Sequence, residues 1–231
     1  VQSRRPGRSI VFAVVSSRLD DGVAGLESAG GKRRRRRASR GTSPRIRPAA
    51  TARERPINVL VLCSGNSARS LIAEAILERE GEGRFRAYSA GSTPKARPNA
   101  AALRMLDQLG YDTGRLHPKS WTEFAGPDAP EMDFVITLCD HAAGEACPDW
   151  PGHPLTAHWG VPALTGRRGS SDAAQDALKD TYRRLMQRTT AFINLPFDDL
   201  SLHQLKERLQ AIGRLEGATE MALSGLPEPD D

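Results

Sequence analysis

The chain has 231 residues, of which 39% are hydrophobic, 26% are charged and 5% are aromatic. This length is enough for one well-buried core with an appendage, since domains commonly hold about 100–200 residues. Three cysteines are too few for a secreted mini-domain that is held together by disulfides. No apolar run approaches the roughly 18–20 residues that span a bilayer, which argues against a membrane protein.

The positive charge belongs to the first 56 residues. They carry 15 Lys and Arg against 4 Asp and Glu, a net charge of +11, whereas residues 57–231 carry 18 against 24, a net charge of −6. Residues 1–56 have too little apolar surface to offset the entropy cost of ordering, so we expect a disordered basic leader. Its role stays open between a passive extension from a start site placed too far upstream, a targeting peptide, and a polyanion-binding arm based on residues 32–37. Nucleic acid is not the expected partner of the rest of the chain.

Predicted strands and helices alternate from residue 57 to residue 218, and a frayed acidic tail is expected at 219–231. The predicted strands are 57–63, 84–90, 134–139 and 155–159. The first predicted helix has its apolar stripe from Leu71 to Leu77 and stops at Gly81, and the later predicted helices are 99–109, 172–195 and 201–215. In the first helix, Glu74 is expected outside the apolar stripe. In the second helix, Leu103, Leu106 and Leu109 are expected on one side.

This alternation predicts parallel strands joined by right-handed crossovers, and hence a small doubly wound α/β fold. Ligands of such sheets bind at the carboxyl ends of the strands. Cys63 and Cys139 both lie at the end of a predicted strand. The sequence therefore predicts that these two cysteines share one site.

A Cys-x5-Arg-Ser motif lies between the first predicted strand and the first predicted helix. Its interior, Ser64, Gly65, Asn66, Ser67 and Ala68, consists of small residues that let a loop wrap with its N–H groups pointing inward, toward an oxyanion. Arg69 can hold two oxygens of a tetrahedral anion. This positive environment favours a nucleophilic thiolate at Cys63, and Ser70 is placed to hydrogen-bond its sulfur. The alternative is an inert, buried cysteine beside an ordinary turn.

The stretches Val59–Ser70, Tyr88–Gly91, Thr137–Asp140 and His158–Gly160 give the sequence a family resemblance. It resembles the low-molecular-weight protein tyrosine phosphatase superfamily, and within it the thioredoxin-coupled arsenate reductases. The resemblance covers about residues 57–215 and implies a four-stranded parallel sheet flanked by helices. It also implies a cytoplasmic oxidoreductase that acts on arsenate with no bound cofactor or metal.

The same resemblance implies a relay of three thiols. Cys63 attacks arsenate, Cys139 attacks the sulfur of Cys63 as arsenite leaves, and Cys147 then takes over the disulfide so that thioredoxin can reduce it. The stretch 140–146 is small and polar enough to rearrange. Two alternatives stay open for Cys139 and Cys147: structural thiols, or a zinc site with His153 and His158.

The sequence departs from the family pattern in the loop after the fourth predicted strand. Residues 160–164 hold no carboxylate where the resemblance implies a general acid, and Ala163 occupies that position. Asp172 is better explained as a residue at a helix N-terminus than as a substitute. The missing acid weakens the alternative function, a low-molecular-weight phosphatase with Cys63 as phosphoenzyme nucleophile. A non-enzymatic oxyanion-binding or redox-sensing module is the third interpretation.

A second departure concerns a cation-binding network that some members carry. Asn66, Glu74 and Ser89 match it, but a further Asp of the network is replaced near Trp121. The sequence therefore does not predict a bound potassium ion.

Overall fold

The computed structural model describes residues 55–145, 147–164 and 171–224. The basic leader, the run at 32–37 and the end of the acidic tail lie outside these ranges, so their predicted properties stay predictions. None of the helices in the described ranges is long and apolar enough to cross a membrane.

Four parallel strands form a sheet in the order β2-β1-β3-β4. The strands are β1 Ile57–Cys63, β2 Phe85–Gly91, β3 Phe134–Thr137 and β4 Leu155–His158. This arrangement confirms the predicted four-stranded α/β fold. Because all strands are parallel, Cys63, Gly91, Thr137 and His158 end them at the same edge of the sheet.

Six α-helices and a short 3-10 helix at Trp121–Phe124 complete the described part of the chain. The helices are α1 Arg69–Glu80, α2 Ala100–Gln108, α3 Asp140–Gly144, α4 Ser171–Ile193, α5 Leu202–Gly213 and α6 Glu220–Ser224. Ser201 caps α5, because its hydroxyl accepts the N–H of Gln204, whose side chain accepts the N–H of Ser201 in return.

The sheet separates two apolar clusters. On one face, Val59 and Val61 pack with α1, α4 and α5 in the larger cluster. On the other face, Leu60, Leu62 and Val135 pack in the smaller cluster, which includes Cys147. Strands covered on both faces explain why their sequences are apolar almost throughout.

Two predicted helix faces are wrong in detail. Glu74 is buried, because α1 is enclosed by the sheet, α2 and α4 and residues 70–77 are all buried. Leu109 is 45% exposed, because it lies after the last turn of α2, whose buried positions are Ala102 and Leu106.

Two segments have more structure than the sequence indicates. The stretch 140–146, predicted only to be able to rearrange, contains the short helix α3. The fraying predicted from residue 219 onward does not begin there, since α6 covers residues 220–224 and buries Ala222. Long-range contacts, which a sequence pattern does not reveal, order both segments.

Candidate active site

The loop between β1 and α1 has the shape of an anion cradle. The carbonyl groups of Ser64, Gly65 and Ser67 accept the N–H groups of Thr93, Lys95 and Asn99 at 2.9, 3.0 and 2.7 Å. These carbonyls therefore point out of the loop. Because carbonyl and N–H point in opposite directions across a trans peptide, the N–H groups that follow them point inward. Inward N–H groups at a helix start provide the positive concavity that an oxyanion needs.

Asn66 fixes the shape of this cradle. It is fully buried and has a positive φ of 38°, a conformation that asparagine adopts more readily than most residues. Its Nδ2 donates to Ser70 Oγ at 2.9 Å and to Ser89 Oγ at 2.8 Å. Its Oδ1 accepts the N–H of Lys119 at 2.7 Å. One side chain thus ties the loop to α1, to β2 and to the segment before the 3-10 helix.

Gly91 lets the cradle pack closely against β2. A Cβ atom at this position would collide with the carbonyl oxygen of Ser64 and press against the backbone of Cys63 and Asn66. Only glycine fits at this end of β2. The glycine that ends the second strand therefore serves the site as well as the sheet.

Cys63 ends β1 and begins the cradle, and Ser70 lies beside it. The two side chains are 2.9 Å apart, Sγ to Oγ, in a buried contact of the kind expected from the sequence. Ser70 also accepts from Asn66, so its own proton is free to be donated to the sulfur. A hydroxyl that donates to sulfur stabilises the thiolate form, which is the form that attacks.

Arg69 is anchored at the far side of the cradle. Its Nη1 donates to the carbonyl of Val161 at 3.0 Å and contacts that of Leu138 at 3.5 Å. Among the described residues, its Nε and Nη2 have no hydrogen-bond partner. One nitrogen therefore holds the guanidinium between β3 and the loop after β4, and the remaining N–H groups are available for an anion.

Cys139 lies against the same loop. Its Sγ is 3.4 Å from the backbone nitrogen of Ser64 and 3.4 Å from the Ser64 hydroxyl. Cys63, Cys139 and Ala142 form one small buried cluster. The structure therefore brings together the two strand-end cysteines, as predicted.

Cys147 packs in a different apolar cluster from the other two cysteines. It is 3% exposed and packs in the smaller cluster with Leu62, Val135 and Trp150. Burial raises the pKa of its thiol to about 12, and the carboxylate of Glu145 adds to the shift. In this conformation the Cys147 thiol is protonated at neutral pH, is buried from any partner, and does not belong to the cluster of Cys63 and Cys139.

A buried ion pair lies behind the cradle. Glu74 Oε2 accepts the hydroxyl of Ser89 and faces Lys119 Nζ at 3.4 Å, and both charged side chains are only 12% exposed. Burial raises the pKa of Glu74, while the Lys119 ammonium and the Ser89 hydroxyl act in the opposite direction. The oxygens that would hold a potassium ion, on Glu74 and Asn66, are thus already engaged by Lys119. These residues do not fit a bound cation.

The carboxylate nearest in sequence to the two active-site cysteines is Asp140, which follows Cys139 directly. Its Oδ1 accepts the hydroxyl of Thr219 at 2.6 Å and contacts His158 Nε2 at 3.0 Å. His158 Nδ1 is 2.8 Å from the hydroxyl of Thr137. Sequence reasoning missed this network, because Thr219 is remote in the chain and His158 was considered only for zinc.

The loop after β4 contains no acid in its described part, residues 160–164, where Ala163 is exposed. Asp172 lies in the first turn of α4. In the described ranges, no three His, Cys, Asp or Glu side chains are grouped closely enough to hold a metal ion. His153 and His158 therefore do not join Cys139 and Cys147 in a site of that kind.

Known proteins are similar to this chain in sequence. A sequence profile of the low molecular weight phosphotyrosine protein phosphatase family matches residues 58–190. An arsenate reductase of Bacillus cereus is 30% identical over 130 residues, which are 56% of this chain and 93% of that protein. An arsenate reductase of Bacillus licheniformis is 33% identical over 103 residues, 44% of this chain and 70% of that protein.

Among solved structures, a thioredoxin-dependent arsenate reductase of Corynebacterium glutamicum matches 57% of this chain and 59% of its own, with 24% sequence identity and a TM-score of 0.41. The family profile covers more than half of the chain, from β1 through most of α4. It therefore includes the cradle, all four strands and all three cysteines. The chain belongs to the low molecular weight phosphotyrosine protein phosphatase family.

Proposed function

We propose that the protein is an arsenate reductase that uses Cys63, Cys139 and Cys147 in turn and is regenerated by thioredoxin. The observation that supports this most directly is the position of Cys139, whose sulfur faces Ser64 in one cluster with Cys63. A phosphatase that uses Cys63 alone has no need of a second thiol there. The relatives named arsenate reductases point to the same chemistry.

In the first step, the Cys63 thiolate attacks the arsenic of an arsenate ion that lies in the cradle. A sulfur–arsenic bond forms and one arsenic–oxygen bond breaks. That oxygen leaves as water, with the two protons that dihydrogen arsenate brings. The inward N–H groups of residues 65, 66 and 68 and the free N–H groups of Arg69 would hold the remaining oxygens. Ser70 would stabilise the thiolate before the attack.

In the second step, the Cys139 thiolate attacks the sulfur of Cys63. A sulfur–sulfur bond forms, and the electron pair of the sulfur–arsenic bond stays on arsenic, which is reduced from As(V) to As(III) and leaves as arsenite. The two thiol sulfurs are oxidised by the same two electrons. Ser64 would hold the attacking sulfur through its N–H and its hydroxyl.

In the third step, Cys147 attacks Cys139 and releases Cys63 as a thiolate. Cys147 is buried in a different apolar cluster from Cys139, and burial raises the pKa of its thiol to about 12, so the segment from α3 to Cys147 must open before this attack. Opening gives the Cys147 sulfur an ordinary pKa and exposes the new disulfide. Thioredoxin would then reduce that disulfide by thiol exchange. A relay of this kind needs a compartment that keeps thiols reduced, and we propose the cytoplasm.

A phosphatase is the second candidate, because the cradle with Cys63 and Arg69 suits a phosphoester equally well. The described part of the loop after β4 offers no general acid, and losing such a group typically costs about 10²–10⁴-fold in the rate of hydrolysis. Release of arsenite by sulfur attack does not depend on protonating an alcohol or phenol. The loss of water in the first arsenate step also gains from an acid, but arsenate esters form and exchange more readily than phosphate esters. The missing acid therefore weakens the phosphatase more than the reductase.

The deciding experiment is arsenate-dependent NADPH oxidation with thioredoxin and thioredoxin reductase, measured for the wild type, Cys139→Ser and Cys147→Ser. We expect turnover only in the wild type. Hydrolysis of p-nitrophenyl phosphate by the same three proteins is the control, since it needs Cys63 but neither of the other cysteines. Equal arsenate turnover in wild type and Cys139→Ser, or none in the wild type, would contradict the proposal.

A further inference from the structure

The segment after α5 returns to the active-site edge of the sheet. The N–H of Thr219 donates to the carbonyl of Gly160 at 3.2 Å, in the loop after β4. Its hydroxyl donates to Asp140 Oδ1 at 2.6 Å. The family profile ends at residue 190, so Thr219 belongs to a part of the chain that the profile does not include.

Asp140 is the residue that starts α3. It follows Cys139, the N-cap residue, and lies in the first turn, where a carboxylate is favoured. Its Oδ1 is held from two sides, by Thr219 and by His158 Nε2 at 3.0 Å. His158 is held in turn by the hydroxyl of Thr137, 2.8 Å from Nδ1. The start of α3 is therefore fastened both to the ends of β3 and β4 and to the C-terminal segment.

The turn that carries Thr219 is itself anchored to α4. Arg188 is fully buried, and its Nη2 donates to the carbonyl of Leu215 at 3.0 Å. Arg184 Nη1 donates to the carbonyl of Gly217 at 2.8 Å. These two arginines hold the end of α5 and the residues after it on a long helix that packs on α1. Thr219 is thus a fixed point and not part of a fraying end.

Gly160 leaves the space in which these groups meet. A Cβ atom there would collide with the hydroxyl oxygen of Thr219 and with Nε2 of His158. The side chains of Thr219 and His158 therefore pack against a backbone position that has no side chain. Such a close fit makes the contact of Thr219 with Asp140 sensitive to small changes.

The helix that Asp140 starts cannot be stable alone. α3 has five residues, and isolated helices shorter than about 12–15 residues are marginal in water. Its order must therefore come from tertiary contacts, among which the bond from Thr219 is the one that links it to the C-terminal segment. On the proposed function, this helix lies between the two cysteines that must meet.

We propose that Thr219 is a positioning residue for the thiol relay, which holds α3 wound and so keeps Cys139 at Ser64 and Cys147 buried until the relay requires them to meet. This role in the relay rests on the proposed function. The contact by which Thr219 holds α3 through Asp140, which we call the latch, can be tested without it. Loss of the Thr219 hydroxyl removes a hydrogen bond to a charged group and should let α3 open more often. Cys147 is the natural probe, because its thiol is buried and it follows the last residue of α3, Gly144, by only three positions.

The experiment is alkylation of Cys147 by iodoacetamide in the reduced full chain at neutral pH, followed by peptide mass analysis. We expect Thr219→Val to accelerate alkylation of Cys147 about 10-fold, from the usual strength of a hydrogen bond to a carboxylate. Thr219→Ser keeps the hydroxyl and should stay within about twofold of the wild type. Tyr182→Phe is the matched control, because it removes a hydroxyl contact of 2.8 Å with Tyr111, away from α3.

Unchanged alkylation in Thr219→Val, or equal acceleration in Tyr182→Phe, would overturn the proposal. Should Thr219→Val not fold, hydrogen exchange on the wild type takes its place. The latch requires the amides of 141–145 and of 219–223 to open together, and protection factors that differ more than about 10-fold between the two would reject it. None of these readouts uses arsenate. A protein that lacks arsenate turnover but shows the faster alkylation would disprove the proposed function and retain the latch.

Discussion

The sulfur of Cys139 lies 3.4 Å from both the backbone nitrogen and the hydroxyl oxygen of Ser64, the residue that follows Cys63. Two residues that are far apart in the chain thus meet at the point where β1 turns into the cradle. The contact requires the parallel pairing of β1 with β3, which brings Leu62 beside Thr137 and so aligns the residues that follow them. The active-site geometry of the two thiols is therefore a direct consequence of the strand order.

Ser64→Ala should slow the formation of the Cys63–Cys139 disulfide about 2- to 10-fold at saturating arsenate, since one of the two groups that hold the attacking sulfur is lost. The backbone N–H remains, so the step should not be abolished. Rapid mixing with arsenate, alkylation and peptide mapping measures the rate. Ser64→Thr retains a hydroxyl and serves as control. A rate in Ser64→Ala equal to that of the wild type would show that the hydroxyl does not position Cys139.

Asn66→Ala should lower the free energy of unfolding by about 2–4 kcal/mol, because it removes the three hydrogen bonds of a fully buried side chain and places alanine at a positive φ. Urea unfolding measures this loss. Affinity for arsenate or phosphate should fall with it, as the loop loses its shape.

Asn58→Ala is the control for the asparagine substitution. Asn58 lies in the same strand-loop unit, but its side chain makes one exposed hydrogen bond, of 2.7 Å, to the carbonyl of Glu131. We expect this variant to lose less than about 1 kcal/mol. Similar losses in the two variants would contradict the role given to Asn66.

Most of the fold and the cradle could be predicted from the sequence because their signals are local. Parallel strands covered on both faces have continuous apolar runs, such as the one that ends at Cys63, and the cradle is a single stretch of eight residues. The meeting of Cys63 and Cys139 followed from one rule about strand ends. Nothing in this inference required knowledge of a side-chain contact.

The parts that could not be predicted depend on contacts between distant segments. No sequence pattern around Lys119 indicates that it pairs with Glu74. Thr219 lies in a stretch whose composition resembles a frayed tail. The short helix α3 has no apolar period long enough to detect. In each case tertiary contacts decide the local structure, and their partners are 45 and 79 positions away for Lys119 and Thr219.

Lys119→Met should lower the free energy of unfolding by about 1–3 kcal/mol, because it leaves the buried Glu74 carboxylate without its cation. The loss should be smaller when Glu74→Gln is already present, since a neutral amide needs no counter-ion. Urea unfolding of the two single variants and the double variant measures this coupling.

Lys179→Met provides a closely matched comparison for Lys119→Met. Lys179 faces Asp176 at the same 3.4 Å, but the two side chains are 69% and 75% exposed. An exposed pair of this kind contributes about 0–1 kcal/mol. A Lys119→Met loss no larger than that of Lys179→Met would show that the ion pair behind the cradle does not stabilise the fold.

His158 should make the protein less stable as the pH falls below about 6.5. Burial lowers the pKa of His158 from its ordinary value of 6.5, in spite of the opposing effect of Asp140. Between pH 6.5 and the lower pKa of the folded state, the unfolded chain therefore binds a proton at this position that the folded chain does not. Its contribution to stability is fully present above pH 6.5 and is lost on acidification through that window.

The measurement is the difference in unfolding free energy between the wild type and His158→Gln from pH 5 to pH 8, an interval chosen around the ordinary pKa of histidine, about 6.5. Glutamine can still donate to Asp140 but does not titrate in this range, so the wild type should lose stability relative to the variant on acidification. His117→Gln, at an exposed position, is the control for replacing a histidine by glutamine. A wild type that gains stability relative to His158→Gln at low pH would mean that the Asp140 carboxylate outweighs burial, and that the folded protein prefers a charged His158.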